Sequence, residues 1–64
     1  MNTMTKPQWR VGIDVVVTDA TSDRFGYVGA VVRITSRNGT TRCSVNFDGA
    51  VFGFDQTDLQ IAMI

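Results

Sequence analysis

Six Lys plus Arg against six Asp plus Glu give this 64-residue chain a formal net charge of zero, which excludes a strongly basic, sequence-blind nucleic-acid binder. The length allows one domain with a small core. There is no His and no Glu, and only one Lys and one Cys, so most acid–base and nucleophilic arrangements are missing and the chain reads as a non-enzyme.

Residues 1–7 are polar, end in the only proline and read as a flexible N-terminal arm. The folded domain is expected over 8–64. It opens on Trp9, a side chain costly to leave in water, which either packs on the domain or marks a contact surface. Ile13 to Thr18 is short and β-branched, with Ile13, Val15 and Val17 on one face, and is expected as the first strand. Asp19 to Tyr27 is dominated by turn formers and is expected as a long loop. Phe25 and Tyr27 flank Gly26 there. They either plug the end of the fold or, with Arg24, offer a contact surface. Gly26 and Gly29 suit a positive φ or a close backbone crossing.

Val28 to Ser36 reads as the second strand. Val31 and Val32 break its alternation, so a bulge is expected that gives both of them cover. Asn38-Gly39 then reads as a two-residue type I′ hairpin turn. The third strand, Thr41 to Phe47, alternates well, with Thr41, Cys43, Val45 and Phe47 inward. Asp48-Gly49 is a second tight turn. Ala50 to Phe54 is a short fourth strand with Gly53 as a bend or close-approach point. Phe54 is expected in the core, and Phe52 covers the fold or builds an interface. Asp55 to Asp58 suits one 3₁₀ turn, and Leu59 to Ile64 a fifth strand with Leu59 and Ile61 inward.

Five short strands and no amphipathic helix point to an all-β fold, a small five-stranded barrel, with an open sheet that pairs with another copy as the alternative. The stretch VVVTDATSDRFGYVGAVVRI resembles the KOW motif of ribosomal large-subunit proteins and transcription elongation factors. The strand Ile13 to Thr18 carries that likeness, with Gly26, Gly29, Val31 and Ile34. SVNFDGAVFGFDQTDLQI looks like the second half of small SH3-like proteins such as the photosystem I subunit IV group, which helps dock ferredoxin. Together the resemblance covers Val11 to Ile61. It implies an SH3-like barrel and, from the KOW side, nucleic-acid binding. The glycine loop here holds Asp19 and Asp23 against Arg24 alone, where nucleic-acid-binding KOW loops gather several basic residues.

Three functions stay open. The first is a protein-binding module that contacts its partner through Trp9, Arg24, Phe25, Tyr27 and Phe52: an accessory, adaptor or modulator subunit, virus-encoded proteins included. The second is nucleic-acid or acidic-surface binding through Arg33, Arg37 and Arg42, which a hairpin at Asn38-Gly39 brings to one face. The third is a structural homo-oligomer joined by edge strands or by Phe52, with Met63 and Ile64 apolar and without cover.

Cys43 alternates with inward residues and reads as a buried, inert thiol. One Cys forms no internal disulfide, and without His there is no zinc site. No cofactor is expected. The aspartates fall mainly in loops, where turns and 3₁₀ capping account for them. No apolar run approaches the roughly 20 residues a membrane helix needs, and the N-terminus lacks an apolar signal core. The expected location is the cytoplasm.

Overall fold

A computed structural model of the chain describes residues 8–62. The expected arm at 1–7 and the last two apolar residues, Met63 and Ile64, lie outside them. The architecture is all-β. Strand β1 is Asp14–Val17, β2 Val28–Arg37, β3 Thr40–Phe47 and β4 Ala50–Asp55; a 3₁₀ turn at Gln56–Asp58 leads into β5, Leu59–Ile61. They form one antiparallel sheet in the order β4-β3-β2-β1-β5. Among the described residues the sheet is open, with β4 and β5 at its edges, and does not show the closure of the expected barrel.

Local chemistry sets the two hairpins. Asn38 and Gly39 have φ of 52° and 79°, and Asp48 and Gly49 of 58° and 99°. Two successive positive φ values define the type I′ turn, whose twist matches that of the flanking strands. The first turn closes on Arg37 opposite Thr40, the second on Phe47 opposite Ala50.

The register decides what is buried. Val31 faces Val45 and Val45 faces Phe52, while Val15 faces Gly29 and Ile61. One face of the sheet therefore collects Val15, Val17, Val31, Cys43, Val45 and Leu59, which form the buried core. Each fully buried valine or leucine contributes about 1.5–3 kcal/mol, so these few side chains carry the fold. Trp9, Ile13, Ile34, Phe47 and Phe54 pack around them at intermediate exposure. Phe54, expected in the core, is thus at its margin.

Gly29 makes the tightest approach. A Cβ there would lie 2.7 Å from the Asn46 carbonyl oxygen and from Val45 Cγ1, and 2.8 Å from Phe47 Cδ1. Only a glycine lets β3 close over β2 at this point.

Several boundaries differ from expectation. The pairing of β2 with β3 shifts between Val31 and Arg33, which is the expected bulge at Val32. It buries only one neighbour, because the extra residue turns outward: Val31 is 1% exposed and Val32 44%. β1 stops at Val17, one residue short of expectation; the Thr18 N–H still bonds the Asp58 carbonyl at 2.9 Å in the β1–β5 register, but Asp58 belongs to the 3₁₀ turn and not to β5. β4 continues to Asp55, which pairs with Arg42, and runs through Gly53 without a register break. Gly53 is thus no bend; the nearest atom to a Cβ there is an Arg42 guanidinium nitrogen at 3.4 Å. β5 ends at Ile61, where the next N–H, of Ala62, bonds the Asp14 carbonyl at 2.9 Å. Among the described residues no helix is long and apolar enough to cross a membrane.

Candidate binding surface

The loop between β1 and β2 is built of consecutive turns. Asp19 Oδ1 accepts from the Thr21 N–H at 3.0 Å and from its hydroxyl at 2.7 Å. The Ser22 N–H bonds the Asp19 carbonyl at 3.0 Å, and Ser22 Oγ accepts from the Arg24 N–H at 3.1 Å. These bonds hold the Asp19 carboxyl below the ordinary aspartate range, the Thr21 hydroxyl first and the Thr21 N–H second. The Phe25 N–H bonds the Ser22 carbonyl at 3.1 Å, and the Tyr27 N–H that of Arg24 at 2.8 Å. Gly26, at φ +86°, and Tyr27 then bond Val17 from both sides. The loop is hydrogen-bonded from end to end, and it fixes where Arg24 points.

The Arg24 guanidinium carbon lies 3.9 Å from the centre of the Phe52 ring. It also lies 5.8 Å from the Tyr27 ring and 5.9 Å from that of Phe47. All three rings are within cation–π range, and a desolvated planar guanidinium gains most from such faces. Phe47 is the hub. Its centroid is 6.1 Å from Tyr27, 6.2 Å from Phe52 and 6.0 Å from Phe54, edge-on to Tyr27 and Phe54 and tilted to Phe52. Arg24 Nε is buried beneath this layer without a hydrogen-bond partner. Two shallow grooves flank the rings. One, about 210 Å³, is lined by Ser22, Asp23, Arg24, Phe52 and Phe54. The other, about 310 Å³, is lined by Tyr27, Val28, Phe47 and Asp48.

The structure thus brings together Arg24, Tyr27 and Phe52 of the expected contact residues. Phe25 and Tyr27 are 56% and 52% exposed, so neither plugs the fold. Phe52 keeps 39% of its surface. Trp9 packs against the core instead of joining these rings. Phe47 was legible only as an inward residue; its place at the hub follows from the space Gly29 leaves, and a glycine inside a strand is the signal that points to it.

The three arginines of the hairpin share the outward face of β2 and β3. Arg33 is opposite Ser44, Arg37 opposite Thr40 and Arg42 opposite Thr35. A groove of about 650 Å³ runs between Thr35, Ser36, Arg37, Asn38, Thr40 and Arg42. Arg42 is already engaged: its guanidinium donates to Asp55 at 2.7 Å. Asp55 sits at the N-terminal cap position of the 3₁₀ turn yet makes no side-chain cap, so its carboxylate serves Arg42 where capping was expected. Among the described residues no group of three potential ligands could hold a metal ion. Cys43 is 1% exposed, and burial raises its thiol pKa.

No family model matches this chain, and neither the curated proteins nor the solved structures include a match to it.

Proposed function

We propose that this chain is a non-enzymatic protein-binding module of the SH3-like, KOW-type barrel class. It binds an extended segment of a partner across Arg24, Phe25, Tyr27 and Phe52, as an accessory or modulator subunit of a larger assembly. The observation that carries the reading is the Arg24 guanidinium stacked on Phe52 beside two rings more than half exposed. Exposed aromatics with an arginine are the residue types that dominate protein contacts, and the flanking grooves give a strand-like segment somewhere to lie. The strand order, the long loop after β1 and the 3₁₀ turn before β5 support the SH3-like class, with the sheet left open between β4 and β5. The zero net charge favours a protein partner over a polyanion. The test compares the proteins retained by immobilised wild-type chain with those retained by a Phe25→Ala/Tyr27→Ala variant of unchanged amide spectrum. Specific retention should be lost in the variant; equal retention rejects the surface.

A second reading, nucleic-acid binding, is favoured by Arg33, Arg37 and Arg42 on one hairpin face. The Arg42–Asp55 pair weakens it by neutralising part of that face. It requires amide shifts at Arg33 to Arg42 when short RNA or duplex DNA is added at low salt, with affinity falling steeply as salt rises. Unchanged spectra remove it.

A further inference from the structure

The free edge of β4 is self-complementary, and we propose that two copies of this chain join there, β4 against β4, across a two-fold axis at Gly53. It rests on the backbone of β4 and not on the proposed partner surface, although the two share Phe52.

Among the described residues the β4 edge carries no proline, lysine or bulge, and the Arg24 loop packs on one face of the strand at Phe52 and Phe54. Proteins blunt exposed edges with proline, lysine, a bulge or a covering element. Ala50–Asp55 reads AVFGFD, with no proline, no lysine and an unbroken register to β3. β5, at the other edge, spans only Leu59–Ile61.

The turn chemistry fixes which backbone groups are free. A two-residue hairpin closes on a hydrogen-bonded pair, here Phe47 and Ala50, and antiparallel pairs then alternate. Val45–Phe52 and Cys43–Phe54 are therefore bonded within the sheet. Val51 and Gly53, opposite Asn46 and Ser44, turn their N–H and C=O groups to the open side; at Asp55, opposite Arg42, the N–H does so, while the carbonyl is taken by the 3₁₀ turn that it caps.

One antiparallel register uses the most of these groups. With Gly53 of one copy against Gly53 of the other, Val51 of each faces Asp55 of its mate. Phe52 of each then meets Phe54 of the other at the closer, non-hydrogen-bonded positions. A slip of two residues either way loses a bonded pair, and a slip of four sets Asp55 against Asp55 or Val51 against Val51. The residue on the axis meets its own image, and glycine there brings neither bulk nor charge. Phe52, still 39% exposed, and Val51, 54% exposed, gain cover on opposite faces of the joint. Each Asp55 already carries its Arg42, and the chain has no net charge to hold copies apart.

The test uses sedimentation equilibrium with amide hydrogen exchange on the same samples. Raising the concentration should produce a dimer and slow exchange at Gly53 and Asp55, while Phe52 and Phe54, already bonded to β3, change little. Val51→Asp sets a like charge against Asp55 twice per dimer and should weaken association by about tenfold. Val51→Lys sets an opposite charge there and should at least preserve it. A chain that stays monomeric up to about 1 mM overturns the proposal, since an interface weaker than that is no specific association. So does a dimer whose Gly53 and Asp55 amides exchange freely, or one that both variants affect alike. The exchange pattern is read on the wild-type chain, so the test stands even if a variant fails to fold.

Discussion

Arg24 lies over the ring of Phe52, 3.9 Å from guanidinium carbon to ring centre, although 28 positions separate them in sequence. The contact ties the β1–β2 loop to the edge strand β4, two elements that share no hydrogen-bonded ladder. It therefore holds the loop in the conformation in which Phe25 and Tyr27 face outward. A double-mutant cycle over Arg24→Ala and Phe52→Ala should give a coupling of about 0.5–1 kcal/mol from denaturant unfolding. Arg24→Lys should keep the charge and lose much of this coupling, because an ammonium lacks the planar face. A coupling near zero would mean the loop is held by its own turns alone.

Gly29 and Gly39 are both required, for different physical reasons. A methyl at Gly29 meets the Asn46 carbonyl and Val45 at 2.7 Å, backbone and core that cannot both move away. Gly29→Ala should destabilise by about 1–3 kcal/mol or more and shift the Phe47 ring resonances. At Gly39 nothing lies within 4 Å, and only the φ of +79° resists a side chain. Gly39→Ala should cost about 1 kcal/mol and leave the Phe47 resonances in place. Thermal unfolding with one-dimensional NMR of the aromatic region separates the two.

Much of the sheet was legible because its determinants are local. Asn38-Gly39 and Asp48-Gly49 set two hairpins, the β2–β3 register followed from the first, and Arg33 opposite Ser44 with Arg37 opposite Thr40 came with it. Alternation placed Val15, Val17, Cys43 and Val45 inward. The candidate surface was legible in its members but not in its arrangement. Arg24 reaches Phe52 through the curl of the sheet, and Phe47 joins them through the gap at Gly29; neither long-range fact is encoded in a short window. Trp9 went to the core margin because a lone aromatic carries no directional signal of its own. Asp55 looked like a cap and became an ion-pair partner because β4 runs one residue further than its apolar pattern.

Cys43 supplies a test of how tightly the centre of the sheet is closed. It is buried beside Val45, with Ile34 and Phe54 as its cross-strand neighbours, and burial raises its pKa. The thiolate is the reactive form, so a disulfide reagent such as Ellman's should label the native chain far more slowly than the denaturant-unfolded chain at the same pH. The linkage has a definite sign. A thiol whose folded value is raised contributes stability that is fully present below its unfolded value and is lost as pH rises through the folded one. Stability should therefore decline on the alkaline side, and Cys43→Ala should remove that part of the decline. Native labelling as fast as that of the unfolded chain would show the core to be open.

Asp19 works in the opposite direction and at the acid end. Its pKa is lowered by the Thr21 hydroxyl and then by the Thr21 N–H. A carboxylate lowered in the folded state contributes stability that is present above its unfolded value and is lost as pH falls through the folded one. Protonation removes the acceptor that holds the first turn of the β1–β2 loop, and that turn leads directly to the residue whose N–H sits on Ser22, Arg24. Acidification should therefore loosen the loop before it unfolds the sheet, with the Arg24 and Tyr27 amides shifting while Val31 and Val45 hold still. Thr21→Val deletes the stronger of the two bonds and should move the Asp19 carboxyl titration, followed by carbon-detected NMR, up toward the ordinary aspartate range. An unchanged midpoint in that variant would mean that the backbone N–H alone sets the Asp19 carboxylate, and the hydroxyl would then have no part in ordering the loop that presents Phe25 and Tyr27.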